Sequence, residues 1–115
     1  MFWKDALLVA AGGALGAVAR FAISQGLRTS FPWATTAVNL AGSFLLGFFL
    51  LPGDWNEGPR LLVGVGFLGA FTTLSTFSVE TVDLLRTGQR IQAAGHVALN
   101  ALGGPLMAWL GWRLA

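Results

Sequence analysis

Cysteine is absent from this 115-residue chain, and histidine occurs once, at His96. The first absence excludes a disulfide framework, a thiolate nucleophile and a cysteine metal site, and it leaves the redox compartment undetermined. The second means that one chain cannot assemble a histidine zinc site. Charge is scarce as well: seven basic and five acidic residues make up 10% of the chain, whereas an ordinary soluble domain carries about 25%. So few charges cannot coat a soluble core, and 55% of the residues are hydrophobic. The apolar surface must therefore face lipid. The basic residues are scattered and the formal charge is only +2, so the basic stripe that nucleic acid requires is missing. Paired carboxylates, a nucleophile with its base and a phosphate loop are likewise missing, which argues against an enzyme.

What is present is a set of four charge-poor runs near the length that spans hydrocarbon, about 20 residues. They cover residues 6–27, 33–51, 59–86 and 91–114. Pro32, the cluster Pro52-Gly53-Asp54 and the turn Thr87-Gly88-Gln89 punctuate them, leaving short hairpins and a single domain over residues 1–115. Trp3, Trp33, Trp55, Trp109 and Trp112 fall near the span ends, where an indole keeps its ring in apolar surroundings and its N–H near water. Lys4 followed by an apolar run and Ala17-Val18-Ala19 has the outline of a cleavable leader. The glycine-rich run suits a retained packing helix better. Small residues at four-residue spacing, Gly12 and Gly16, Gly13 and Ala17, Ser43 and Gly47, Gly104 and Ala108, let membrane helices approach closely.

An even number of spans places both termini on one side with the middle loop, so Lys4, Arg60 and Arg113 stand against Arg28, Arg86 and Arg90. Orientation follows an excess of basic residues on one side, and here there is none. Either other features set one orientation, or both orientations insert and pair as an antiparallel dimer. The polar residues are lopsided: Arg20, Asn39, Ser43, Ser75, Thr76, Ser78, Glu80, His96 and Asn100 fall in one half of the bilayer once the spans alternate. That half would form a wet vestibule. For Arg20 and Glu80 the readings are snorkelling, a mutual ion pair or pore lining; for Asn39 and Asn100 they are an interhelical hydrogen bond or pore lining. His96 lacks co-ligands and reads as an ordinary polar residue near the membrane surface. The run Gly69-Ala70-Phe71-Thr72-Thr73-Leu74-Ser75-Thr76-Phe77-Ser78 joins poor helix formers to hydroxyls at the centre of the third span. A helix break there leaves free carbonyls, tolerated only inside protein or against water, and such carbonyls can hold a cation.

Taken in order, Gly12-Gly13-Ala14-Leu15-Gly16-Ala17 with Arg20, then Asn39-Leu40-Ala41-Gly42-Ser43, then Gly66-Phe67-Leu68-Gly69-Ala70-Phe71-Thr72-Thr73-Leu74-Ser75-Thr76-Phe77-Ser78-Val79-Glu80 resemble the Fluc (CrcB) fluoride channel family. The resemblance implies an all-α membrane protein of four transmembrane helices per chain, the third broken at the midplane, in an antiparallel dual-topology homodimer. It implies a multi-pass protein of the cell (inner) membrane that passively exports fluoride. It also implies a structural sodium ion at the dimer centre, held by the carbonyls of Gly69 and Thr72. Asn39 would hydrogen-bond fluoride, Ser75 and Thr76 would line or support its path, and Phe77 would offer its electropositive ring edge. Ser43, Leu74 and Asn100 complete the expected pore, with Arg20 and Glu80 in the vestibule. Two departures stand out: Leu74 replaces a phenylalanine usual in the family, and His96, Asn100 and Gly104 replace fourth-span hydroxyls. The small multidrug-resistance transporters share the span number but need a carboxylate deep in span one, where only Asp5 lies near the end. A noncatalytic assembly subunit would explain the glycines but not the hydroxyl-rich break.

Overall fold

The computed structural model describes all 115 residues and is helical throughout. Helix α1 covers Phe2–Gly26 and α2 covers Trp33–Leu50. The third span starts with the short turn α3, Glu57–Pro59, winds as a π-helix over Arg60–Leu68, and returns to α-helix in α4, Gly69–Phe71. After an interruption it resumes as α5, Ser75–Arg86. The last apolar run, expected as a fourth span, is split into α6, Arg90–Ala101, and α7, Gly103–Leu114. Three of these stretches, Phe2–Gly26, Trp33–Leu50 and Glu57–Arg86, are long and apolar enough to cross a membrane.

The helix bounds agree with the sequence expectation to within a few residues, but the fourth span differs in kind. The expected continuous run is two helices of 12 residues each. Pro105 accounts for this: it has no N–H to offer the carbonyl of Ala101, and its ring crowds the preceding turn. Beside it, a side chain on Gly103 would meet Leu40 of α2.

Close backbone approach holds the spans together. A Cβ built on Gly12 or Gly16 would land on the carbonyls of Leu62 or Phe67, so α1 lies directly against the π-helical turn. The pair α2 and α7 repeats the device, with Gly47 against the Ala108 carbonyl and Gly111 against the Phe44 carbonyl. Gly12, Gly16 and Gly47 are small residues read from sequence, Gly111 was missed there, and all four act by removing side chains between helix axes. The outside is apolar: Phe2, Trp3, Leu15, Val18, Phe21 and Ile91 are each more than 60% exposed. Trp33, Trp109 and Trp112 are also exposed near helix ends.

Candidate functional site

The interruption of the third span is the feature around which the polar residues gather. Thr72 is extended, with φ −84° and ψ 159°, so the helical ladder cannot pass it. The Gly69, Ala70, Phe71 and Thr72 carbonyls consequently have no backbone N–H partner. Arg20 Nε donates to the Ala70 carbonyl at 3.1 Å, and Thr72 Oγ1 makes a long 3.4 Å contact to that of Gly69. The Phe71 and Thr72 carbonyls receive no hydrogen bond. On the other side of the break Thr73 Oγ1 caps α5 by accepting from the Thr76 N–H at 3.2 Å. The N–H groups of Leu74, Ser75 and Phe77 remain without partners.

Asn39 on α2 clamps the break. Its Oδ1 accepts from the Thr73 N–H at 2.8 Å, and its Nδ2 donates to the Thr73 carbonyl at 3.0 Å, as a neighbouring strand would. The second Nδ2 hydrogen goes to Asn100 Oδ1 at 2.8 Å. Asn100 Nδ2 faces Thr36 Oγ1 at 3.3 Å, the His96 carbonyl at 2.9 Å and His96 Nδ1 at 3.3 Å. His96 Nε2 in turn lies 3.3 Å from Glu80 Oε1. A polar chain thus runs from the break through α2 and α6 to α5. The interhelical hydrogen bond anticipated for Asn39 and Asn100 is present, and both residues also line one cavity.

Two cavities flank this chain and share Thr73. The larger, about 760 Å³, contains Arg20, Arg28, Thr76, Glu80 and Asp83, and so brings together the two residues expected in a vestibule, Arg20 and Glu80. The smaller, about 580 Å³, contains Asn39, Ser43, Gly69, Thr72, Leu74, Phe77 and Asn100. The expected site residues are therefore divided. Asn39, Ser43, Leu74, Phe77 and Asn100 share the smaller cavity, a groove, with both anticipated sodium-carbonyl residues, while Thr76 joins Arg20 and Glu80 in the larger one. Ser75 is exposed and lines neither. Leu74 sits at the groove rim, 75% exposed. Arg20 and Glu80 do not pair with each other: the guanidinium serves the Ala70 carbonyl and the carboxylate faces His96.

The sequence reading of His96 as an ordinary polar residue near the membrane surface missed its burial: it is wholly enclosed by the protein, with the rings of Phe77 and Phe31 at 5.0 and 5.6 Å between centroids. The Thr73 clamp was also missed. Sequence spacing held part of the signal, because His96 and Asn100 are four residues apart and so share one helix face. Which neighbour that face meets is not a property of the spacing.

Chemically, the break offers two things. Free N–H groups at the start of a helix favour an anion, and Asn39, Asn100 and the hydroxyls lie beside them. Free carbonyls with no donor in reach suit a hard cation that takes oxygen ligands. The Gly69 and Thr72 carbonyls fit that requirement: one has a single long hydroxyl contact and the other has none.

The family description "CrcB-like protein, Camphor Resistance (CrcB)" matches residues 7–112. The chain belongs to the CrcB family. A protein of Idiomarina loihiensis named fluoride-specific ion channel FluC is 51% identical over 102 residues, which is 82% of this chain and 78% of the relative. Fluoride-specific ion channel FluC 2 of Bacillus thuringiensis subsp. konkukian is 45% identical over 114 residues, 96% of both chains. The FluC 2 protein of Moorella thermoacetica is 44% identical over 115 residues, 95% of this chain and 94% of the relative. CrcB membership makes this a membrane protein, in keeping with its three long apolar helices.

Proposed function

We propose that this CrcB protein is a fluoride channel and not an enzyme, conducting passively down the fluoride gradient and lowering fluoride in the cytoplasm. One observation carries the reading beyond the relatives' names: vestibule and groove meet at Thr73, the residue within the break of the third span that Asn39 clamps. A small anion leaving the vestibule there meets unpaired N–H groups and hydroxyls. Such donors must replace its water, because a buried ion without partners is very costly. Phe77 adds only weak contacts from its ring edge, so the ion is not held tightly and can leave.

In this reading four spans cross the cell (inner) membrane, the fourth being α6 with α7. Two chains pair antiparallel, and each groove, open on one side in a single chain, is closed by the partner. The Gly69 and Thr72 carbonyls of both chains would hold a sodium ion at the two-fold axis, where the cation supplies fixed positive charge and ties the two breaks together. Exchanging all sodium for a bulky organic cation should then lower flux and loosen the dimer. Unchanged flux and dimer content would remove the sodium from the reading. The multidrug-transporter alternative fares worse, because Asp5 is in the first turn of α1, 3.9 Å from the N-terminal amine, and not deep in the span. Fluoride efflux from vesicles holding the purified protein, run beside chloride efflux, tests the whole. Fluoride flux without chloride flux is expected, and no flux of either ion would favour an assembly subunit.

A further inference from the structure

His96 has no part in the path just described, yet it is wholly buried and belongs to the same hydrogen-bonded chain. The orientation of every member of that chain follows from one end. A backbone N–H can only donate and a carbonyl only accept, so the Thr73 contacts fix Asn39 with Oδ1 toward the N–H and Nδ2 toward the carbonyl. The remaining Nδ2 hydrogen requires an acceptor, so the Asn100 atom 2.8 Å away is Oδ1. Asn100 then presents its Nδ2 group to Thr36 Oγ1, to the His96 carbonyl and to His96 Nδ1; a proton on Nδ1 would face that donor, so Nδ1 is the unprotonated ring nitrogen. The ring proton lies on Nε2, toward Glu80 Oε1.

That last contact is poorly made. Nε2 and Oε1 are buried, 3.3 Å apart, and neither has an aligned hydrogen-bond partner. A second proton on Nδ1 would turn the Asn100 contact into two donors facing each other. Asn100 could relieve this by turning its amide over, but its Nδ2 would then face Asn39 Nδ2, and Asn39 cannot turn without releasing both Thr73 groups. The other charged groups nearby are few. Glu80 is the only one facing the ring; α2 carries no ionisable residue, Arg20, Arg28 and Asp83 share the vestibule with Glu80, and Arg90 lies at the far start of α6.

Resting on the channel reading above, we infer that His96 is a positioning residue for the fluoride path: as a neutral Nε2–H imidazole it holds Asn100 and Asn39 in register with the broken span, and a second proton, taken on Nδ1, undoes that register. The channel thereby carries a proton-sensitive latch that slows conduction in acid.

The test uses the full-length protein in vesicles, with protein-free vesicles subtracting leak of undissociated acid at each pH. Parent flux should fall roughly tenfold between about pH 8 and pH 5.5, the scale of one buried donor left unpaired. His96→Gln, whose amide can accept from Asn100 and donate to Glu80, should conduct like the parent at the alkaline end and stay flat, whereas His96→Phe should be slow throughout. Because the chain has one histidine, ¹⁵N-histidine labelling gives a single imidazole whose nitrogen shifts report the tautomer directly, whether or not either variant assembles. The Nε2–H form is expected at alkaline pH. An Nδ1–H form, an imidazole that stays neutral while flux falls, or equal pH profiles in parent and His96→Gln would overturn the proposal. Absence of fluoride flux in the parent at every pH would instead reject the channel reading, with the tautomer still deciding the orientation of the chain.

Discussion

Replacing Asn39 by aspartate exchanges one NH₂ for one oxygen and changes almost nothing in volume, so its effect isolates the clamp on the broken span. The retained Oδ1 still accepts from the Thr73 N–H at 2.8 Å. The new oxygen faces the Thr73 carbonyl at 3.0 Å and Asn100 Oδ1 at 2.8 Å, so two hydrogen bonds become two contacts between acceptors. Interhelical hydrogen bonds in membranes are worth about 0.6–1.7 kcal/mol each, and a buried group left unpaired costs about 1–3 kcal/mol. The clamp should therefore weaken by about 2–6 kcal/mol in the ionised form; a protonated aspartate, which can donate to one of the two oxygens, would recover about half. Ionised, it also sets a negative charge beside a path for anions. Fluoride efflux from vesicles, followed with a fluoride electrode, should be abolished in Asn39→Asp, and Asn39→Ala, which loses the clamp without adding charge, should retain more. Helix content and dimer fraction measured on the same samples separate a blocked path from a collapsed one. A folded Asn39→Asp channel conducting like the parent would refute both the clamp and the assigned pore.

Phe77→Ile removes a ring that lines the groove and packs on His96 at 5.0 Å; flux should drop strongly while dimers persist on size exclusion, and unchanged flux would remove Phe77 from the path. Gly16→Val drives side-chain atoms into the Phe67 carbonyl, and because backbone cannot yield, the midpoint of thermal unfolding followed by tryptophan fluorescence should fall by an amount corresponding to at least about 1–3 kcal/mol; an unshifted midpoint would mean that α1 does not pack there. For dual topology, Gln89→Cys introduces the only thiol and avoids Gly88, whose φ of 81° disfavours a side chain. Labelling of that thiol from both membrane faces is expected, and labelling from one face alone would reject antiparallel pairing.

Partition and punctuation were settled in the chain itself. Scarce charge and four apolar runs fix a helical membrane protein, because hydrocarbon accepts only backbone whose hydrogen bonds close internally. Proline, glycine and the hydroxyl-rich run from Gly69 to Ser78 mark where helices stop, and Gly12, Gly16 and Gly47 mark where they touch. Those are one-dimensional signals, legible residue by residue. The Pro105 interruption was also written there, yet a proline inside an apolar run is read correctly only when the ladder around it is seen to open. What remained for the tertiary structure was pairing. Arg20 is given to the Ala70 carbonyl and not to Glu80, Asn39 to the Thr73 backbone, and His96 to the interior between Asn100 and Glu80. Each of these depends on the rotation of one helix about its axis relative to a neighbouring helix: Arg20 and Asn39 meet residues 50 and 34 positions away in the chain, and His96 meets Glu80 of the preceding helix. Spacing within a helix states which residues share a face; only the packing of the spans states what that face meets.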